Sequence, residues 1–153
     1  MAKTPRDQFT IDLFNDWKPP RISVGFEPGT IAGNRLGSRV SRAIAKAMKE
    51  CGEDRTTIAG HMSERLGQKI TVSALAAYAS EAKVDNNITV ERFIALVEAT
   101  GKTELLGFLA EDFDMAVVPS KYENVIELAL IEDHERMVET RKKTLQMKIR
   151  GAK

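Results

Sequence analysis

The chain has few of the cysteines and histidines that form disulfides and metal sites, and it has no long apolar run of the kind that spans a membrane. Its 153 residues include one cysteine, Cys51, and two histidines, His61 and His134, which lie far apart in sequence. A single cysteine cannot form an internal disulfide, and this set cannot supply a cysteine-rich zinc site. The sequence also lacks the run of about 18 apolar residues that a membrane-spanning helix requires. We therefore expect no cofactor, no metal ion and no membrane partner.

An excess of charge of one sign is missing too, since the net charge is +1. Nucleic-acid binding needs local positive potential, and the charges are segregated along the chain. Basic residues outnumber acidic ones over 35–69, acidic residues dominate over 84–114, and the chain is strongly basic again from residue 136. The near-neutral total therefore hides two basic regions that could contact phosphates.

Helix-forming patterns are sparse at the start of the chain. Residues 1–33 hold four of the five prolines, so we predict an extended N-terminal arm. Phe9, Leu13, Phe14 and Trp17 are crowded into this arm and must pack on the main domain or on a partner. No apolar stretch follows the first basic residues, so we predict no secretory signal peptide and expect a cytoplasmic protein.

From residue 34 the apolar residues follow the period of an α-helix, and the sequence predicts an all-α fold. Five short helices are expected in a domain spanning residues 34–114. The residues suited to begin the second to fifth helices are Asp54, Thr71, Thr89 and Thr103, and those suited to end the first, second and fourth are Gly52, Gly67 and Gly101.

Residues 115–153 predict an extended connector up to Pro119, followed by a long basic helix over about 121–150. An apolar stripe in this helix fades after Asp133, and no heptad pattern is sustained over three or four repeats. We expect the first half of the helix to dock on the domain and its basic second half to be solvated.

The five-helix pattern, with a compact second and third helix, resembles the repressor-type helix-turn-helix domain. The resemblance is carried by RTTIAGHM at 55–62, TVSALAAY at 71–78 and ITVERFIALVEATG at 88–101. It implies that the third helix enters the DNA major groove and the second crosses above it. Ala59 takes the small position where the two helices cross, and the core positions fall on Ile58, Met62, Leu75 and Tyr78. The chain departs from the family at residues 63–70, where the second helix must be longer or the turn wider.

The whole chain also resembles small DNA-binding proteins of Mu-like transposable phages and prophages, which are described as regulatory or DNA-transposition proteins. WKPP at 17–20, AYASEA at 77–82 and VPSKY at 118–122 carry this resemblance. It implies a regulator of transcription or DNA transposition, with transposition proteins as further partners. Because one short recognition helix covers only a few base pairs, we also expect a homo-oligomer.

The repressor geometry implies a set of groove-facing residues in and after the third helix, with Leu75 and Tyr78 facing inward: Thr71, Ser73, Ala76, Ala77, Ser80 and Lys83. Most of these residues are small, and the bidentate arginine–guanine and asparagine–adenine pairings are absent from the helix. We therefore expect modest base discrimination, with backbone contacts and DNA shape contributing much of the recognition.

Cations recur every three or four residues along the first helix and are predicted to share one stripe: Arg35, Arg39, Arg42, Lys46 and Lys49. Arg55, Arg65 and Lys69 could extend this stripe toward phosphates. A stripe of this kind fits either phosphate binding or a solvated helix face. The basic C-terminal residues allow the same two interpretations.

The sequence offers little for catalysis. His61 has no carboxylate or serine partner at a useful spacing, and no glycine-rich phosphate loop of the Walker type occurs. We interpret the chain as a double-stranded-DNA-binding regulator and not as an enzyme. The alternatives are a protein-interaction module that docks transposition machinery through the Trp17 arm and the helical surface, and an enzyme acting on nucleic acid, which would need a metal site.

Overall fold

The described chain, residues 21–82 and 87–151 of a computed structural model, is helical. Its α-helices are α1 (Leu36–Glu50), α2 (Arg55–Leu66), α3 (Val72–Tyr78), α4 (Val90–Thr100), α5 (Glu104–Glu111) and α6 (Glu123–Gly151), and a 3-10 turn, Ser120–Tyr122, precedes α6. These residues contain no β-strand, and their one extended pairing is an isolated bridge between Val24 and Val117. The predicted all-α fold, with five short helices before a long C-terminal one, is confirmed.

Capping side chains begin α2 and α3 where the sequence predicted them. Asp54 Oδ1 accepts the backbone N–H groups of Thr56 at 2.7 Å and Thr57 at 2.9 Å. Thr71 Oγ1 accepts the N–H of Ala74 at 3.1 Å. Each bond satisfies an N–H group that has no partner within its own helix. The N–H groups of Thr57 and Thr56 also hold the pKa of the Asp54 carboxyl below its usual range.

The core draws on all five short helices. Its largest fully buried side chains are Ile44 of α1, Ile58 and Met62 of α2, Leu75 of α3, Leu96 of α4 and Leu105 of α5. Burying a side chain of this size contributes about 1.5–3 kcal/mol to the stability of the fold. The residues predicted as core in the second and third helices, Ile58, Met62, Leu75 and Tyr78, are all buried, and so is Ala59.

Residues 21–33, here called the strap, cross the domain without forming a helix. The N–H of Val24 donates to the carbonyl of Val117 at 2.8 Å, and Phe26 and Ile31 pack against the core while partly buried. The absence of helix predicted for the N-terminal arm is therefore confirmed over residues 21–33. Phe9, Leu13, Phe14 and Trp17 lie outside the described residues.

Gly107 of α5 allows the strap to lie directly on that helix. A Cβ atom at this position would overlap the carbonyl oxygen of Val24 and lie 2.6 Å from Cα of Gly25. Gly107→Ala is therefore expected to destabilise the fold by about 1–3 kcal/mol, because backbone must move to admit the methyl group. Chemical denaturation measures the change.

Gly60→Ala is the matched control, since Gly60 also lies inside a helix, α2, and a Cβ there meets nothing within 4 Å. Alanine should stabilise this helix by roughly 0.5–1 kcal/mol. If both variants were stabilised alike, the strap would not lie against α5.

The long helix α6 has no buried residue along its length. Large apolar side chains stand exposed in both of its halves: Val125, Ile126, Leu128, Leu130, Ile131, Met137, Val138, Leu145, Met147 and Ile149. The prediction that its first half docks on the domain is wrong. Sequence periodicity shows which residues share a face of a helix, but it does not fix the direction in which a helix leaves the connector at Pro119.

The length and hydropathy of the helices bear on whether any of them could span a membrane. None of the helices in residues 21–82 and 87–151 combines the length and the apolar character needed to cross a lipid bilayer.

Candidate nucleic-acid interface

The turn between α2 and α3 spans residues 67–71 and is held by Ser63. Gly67 ends α2 in the left-handed conformation, with φ of 63°. Ser63 Oγ accepts the N–H of Ile70 at 2.8 Å and donates to the carbonyl of Ala59 at 2.6 Å. Ile70 is buried and ties the turn to the core. Residues 63–70 therefore form the end of α2, which reaches Leu66, and most of the turn that leads to α3.

The side of α3 turned away from the core carries Val72, Ser73 and Ala76, with Ser80 just beyond the helix. At about 100° per residue these four positions fall within one quadrant or so of the helix circumference. Val72 and Ser73 are exposed, and Ala76 and Ser80 are half-buried. We call these four residues the α3 face.

The opposite side of α3 is fixed in the core. Leu75 is fully buried, and Tyr78 is buried with its hydroxyl accepting a hydrogen bond from the Arg92 guanidinium. The inward placement predicted for Leu75 and Tyr78 is confirmed.

Ala77 does not belong to the α3 face, because it is only 9% exposed. The prediction that Ala77 faces outward is wrong. By its angle round the helix Ala77 lies only about 40° from Ser73 and about 160° from Leu75. The spacing within α3 therefore predicts an outward position, and it does not reveal that other parts of the fold cover Ala77. Lys83, also predicted to face the groove, lies outside the described residues.

Thr71 and Lys69 stand beside the α3 face at the start of the helix, and both are exposed. Thr71 Oγ1 already accepts the N–H of Ala74 in the cap of α3, so its hydroxyl hydrogen and its second lone pair remain for a ligand. Sequence reasoning missed Val72 and Gln68, which are exposed at the same end. Val72 precedes the inward Leu75 by three positions, a spacing that predicts a place near the buried side, so no signal in the sequence indicated its exposure.

Arg39 and Arg42 of the predicted cationic stripe bind within the chain. Arg39 Nη1 donates to Asp112 at 2.7 Å, and its guanidinium lies 5.4 Å from the centre of the Phe108 ring. Arg42 donates to both carboxylate oxygens of Glu81, at 2.7 and 3.0 Å.

The strap is held by the same stripe. Arg42 Nη1 donates to the carbonyl of Ala32. Lys46 forms an ion pair with Glu50 at 2.7 Å and lies 5.9 Å from the centre of the Phe26 ring. Three of the five stripe cations therefore tie α1 to other parts of its own fold, an arrangement that neither sequence interpretation included.

The ion pair between Arg42 and Glu81 also affects ionisation. The hydrogen bonds from the Arg42 guanidinium hold the pKa of the Glu81 carboxyl below its usual range. Glu81 therefore remains charged, and the pair remains intact, to a lower pH than an isolated glutamate would allow.

The other predicted cations differ in whether they form an ion pair. Arg65 Nε donates to Glu98 at 2.7 Å in an exposed pair. Among residues 21–82 and 87–151, ion-pair partners within 4.0 Å are absent for Arg35, Lys49, Arg55 and Lys69. Arg55 begins α2 and Lys69 lies in the turn before α3, so these two flank the elements on which the resemblance to a helix-turn-helix depends.

No cluster of three or more histidine, cysteine, aspartate or glutamate side chains in the described part of the chain is arranged to hold a metal ion. His61 lines a shallow groove between α2 and α4, together with Arg65, Glu98 and Ala99. The site is thus defined by the α3 face and its flanking cations. Comparisons of the chain with family models, with curated proteins and with solved structures find no match.

Proposed function

We propose that the chain binds double-stranded DNA through the α3 face. The observation that supports this most is the contrast between the two sides of α3. Leu75 and Tyr78 anchor one side in the core, while Val72, Ser73 and Ala76 project small side chains from the other. A short, firmly seated helix with small outward side chains suits close approach of its backbone to the floor of a major groove.

The chemistry of the α3 face suits limited base discrimination. The hydroxyl of Ser73 can bond to base edges or to phosphates, and the methyl groups of Val72 and Ala76 can touch the methyl group of thymine. None of these contacts specifies a base as a bidentate arginine does. Phosphate contacts and the shape of the duplex would therefore supply much of the affinity.

Lys69 and Arg55 are the cations that the proposal assigns to phosphates. Both are exposed, and neither has an ion-pair partner among the described residues. Arg65 can join them, because an exposed pair such as Arg65 with Glu98 contributes only about 0–1 kcal/mol and can exchange its carboxylate for a phosphate. Arg39 and Arg42 hold parts of the fold together and are not assigned to DNA.

The biological role that we propose is regulation of transcription or DNA transposition in a phage or prophage, by a cytoplasmic protein with no catalytic activity. It follows the resemblance of WKPP, AYASEA and VPSKY to the proteins of Mu-like elements. A homo-oligomer would present two copies of α3 to two half-sites and double the contact with the duplex.

The proposal is tested by titrating the chain into a labelled random-sequence duplex at several salt concentrations. Fluorescence anisotropy measures the binding. We expect binding that weakens steeply with salt, with log K falling by about 0.9 per tenfold salt for each phosphate contact. Lys69→Ala and Arg55→Ala should each lower the magnitude of this slope by about 1 and weaken binding to all duplexes alike.

Lys121→Ala is the control for charge, because Lys121 is an exposed cation in the 3-10 turn before α6, which the proposed interface does not use. Its salt slope should equal that of the unaltered protein. A chain that bound no duplex at low salt would overturn the proposal.

A protein-interaction module is the second candidate, favoured by exposed apolar residues on the domain itself. Leu106, Leu109 and Phe113, spaced by three and four residues, share one side of α5 and the turn that follows it, and all three are exposed. A patch of this kind is a common mark of protein contacts. For this function, binding of a partner such as a transposition protein would depend on Leu109 and Phe113 and be unaffected by Lys69→Ala.

A further inference from the structure

Helix α6 exposes large apolar side chains in both of its halves and makes no buried contact. It has 29 residues, a length of about 44 Å, and none of them is buried. In most proteins a helix is stabilised chiefly by packing of its apolar face against other elements. The exposed apolar side chains of α6 therefore point to a partner.

Part of this apolar surface recurs in seven-residue steps at three places, a run too short for a sustained heptad pattern. Leu130 with Ile131 is followed seven residues later by Met137 with Val138, and seven residues after that by Thr144 with Leu145. A repeat of seven keeps a stripe on one side of two helices that wind round each other. His134 and Arg141 lie between these pairs, and Thr144 is polar, which limits the strength of such a contact.

Charge on α6 is divided sharply between its two halves. Residues 123–135 contain five acidic residues and no lysine or arginine, a net charge of −5. Residues 136–151 contain six basic residues and one glutamate, a net charge of +5. The ion pairs within α6 are Arg136 with Asp133 at 3.4 Å and Lys142 with Glu139 at 3.9 Å, so most of its charges are left for an external partner.

We propose that two copies of this chain associate through α6, with the two helices antiparallel. A parallel pair would set acid against acid and base against base, whereas an antiparallel pair sets each acidic half against the basic half of its partner. Met137 is the middle residue of α6, and the next residue, Val138, lies seven residues from both Ile131 and Leu145. A two-fold axis at Val138 would therefore stack Ile131 of each copy on Leu145 of the other.

Sedimentation velocity of the full chain without DNA, over a series of protein concentrations, tests the contact. Val138→Asp should abolish dimer formation, because it brings two buried carboxylates together at the axis. Val125→Asp is the matched control. It is the same substitution in the same helix, at a side chain 62% exposed against 51% for Val138, and it lies about 140° away round the helix.

The control should dimerise as the unaltered chain does. A chain that remained monomeric at every concentration would overturn the proposal, and so would a dimer that Val138→Asp leaves intact.

Two further measurements test the orientation of the helices. Lys142→Glu with Lys143→Glu should weaken self-association, and so should Glu132→Lys with Glu135→Lys, whereas a mixture of the two double variants should associate. In a Cys51→Ala background, Ile131→Cys and Leu145→Cys chains of different mass should form the mixed disulfide when combined, since only antiparallel helices bring these positions together.

Disulfides that form only between like positions would overturn the antiparallel arrangement. Because none of these measurements involves DNA, their failure would leave the proposed role of the α3 face untouched. Failure of the chain to bind DNA would likewise leave the proposed contact between two α6 helices untouched.

Discussion

Replacing Leu75 by alanine is expected to lower the free energy of unfolding by about 2–5 kcal/mol, because the lost methyl groups leave a cavity that the core fills only in part. Leu75 is 0% exposed and belongs to α3, which packs on both α1 and α2. Any loss of DNA binding in this variant should follow unfolding, and should be recovered at temperatures where the variant is still folded. Thermal and denaturant melts give the stability, and duplex titrations give the binding.

Leu109→Ala provides the comparison, since it removes the same atoms from an exposed leucine of α5. It should change stability by a few tenths of a kcal/mol at most. Equal losses in the two variants would mean that α3 is not seated in the core through Leu75.

Ala76→Glu and Ala77→Glu should have different effects, although the two alanines are adjacent: the first should lose DNA binding and the second should lose stability. At Ala76, on the α3 face, glutamate places a negative charge against phosphates while leaving Leu75 and Tyr78 in place, so the chain should fold and lose DNA binding. At Ala77, glutamate buries a charge without a partner and should unfold much of the population. Circular dichroism melts and duplex titrations of both variants separate the two effects.

Each outcome bears on a different statement. If Ala76→Glu bound DNA as the unaltered chain does, α3 would not be the element that contacts the groove. If Ala77→Glu melted at the same temperature as the unaltered chain, Ala77 would not be buried in the folded protein.

Features set by neighbours in sequence were predictable. Asp54 and Thr71 cap helices through residues two or three positions ahead, and the inward placement of Leu75 and Tyr78 follows from their spacing within one helix. The all-α class follows from the sum of such local patterns.

Features that depend on distant partners were not predictable. Arg39 meets Asp112 across 73 residues of sequence, and Arg42 meets Glu81 across 39. Nothing in the spacing of the stripe reveals which carboxylates the fold brings to it. The lack of docking by the first half of α6 was missed for the same reason, because docking depends on contacts with distant parts of the chain and not on the periodicity of the helix itself.

The position of Arg42 makes it a junction of three segments, and the shape of its side chain matters as much as its charge. Its guanidinium reaches Glu81 with two nitrogens and the carbonyl of Ala32 with the third. Lysine would keep the charge, but a single ammonium nitrogen cannot reproduce a planar fork with donors in three directions. This position should therefore tolerate change poorly even where charge is kept, because a conservative exchange would lose hydrogen bonds that link three segments.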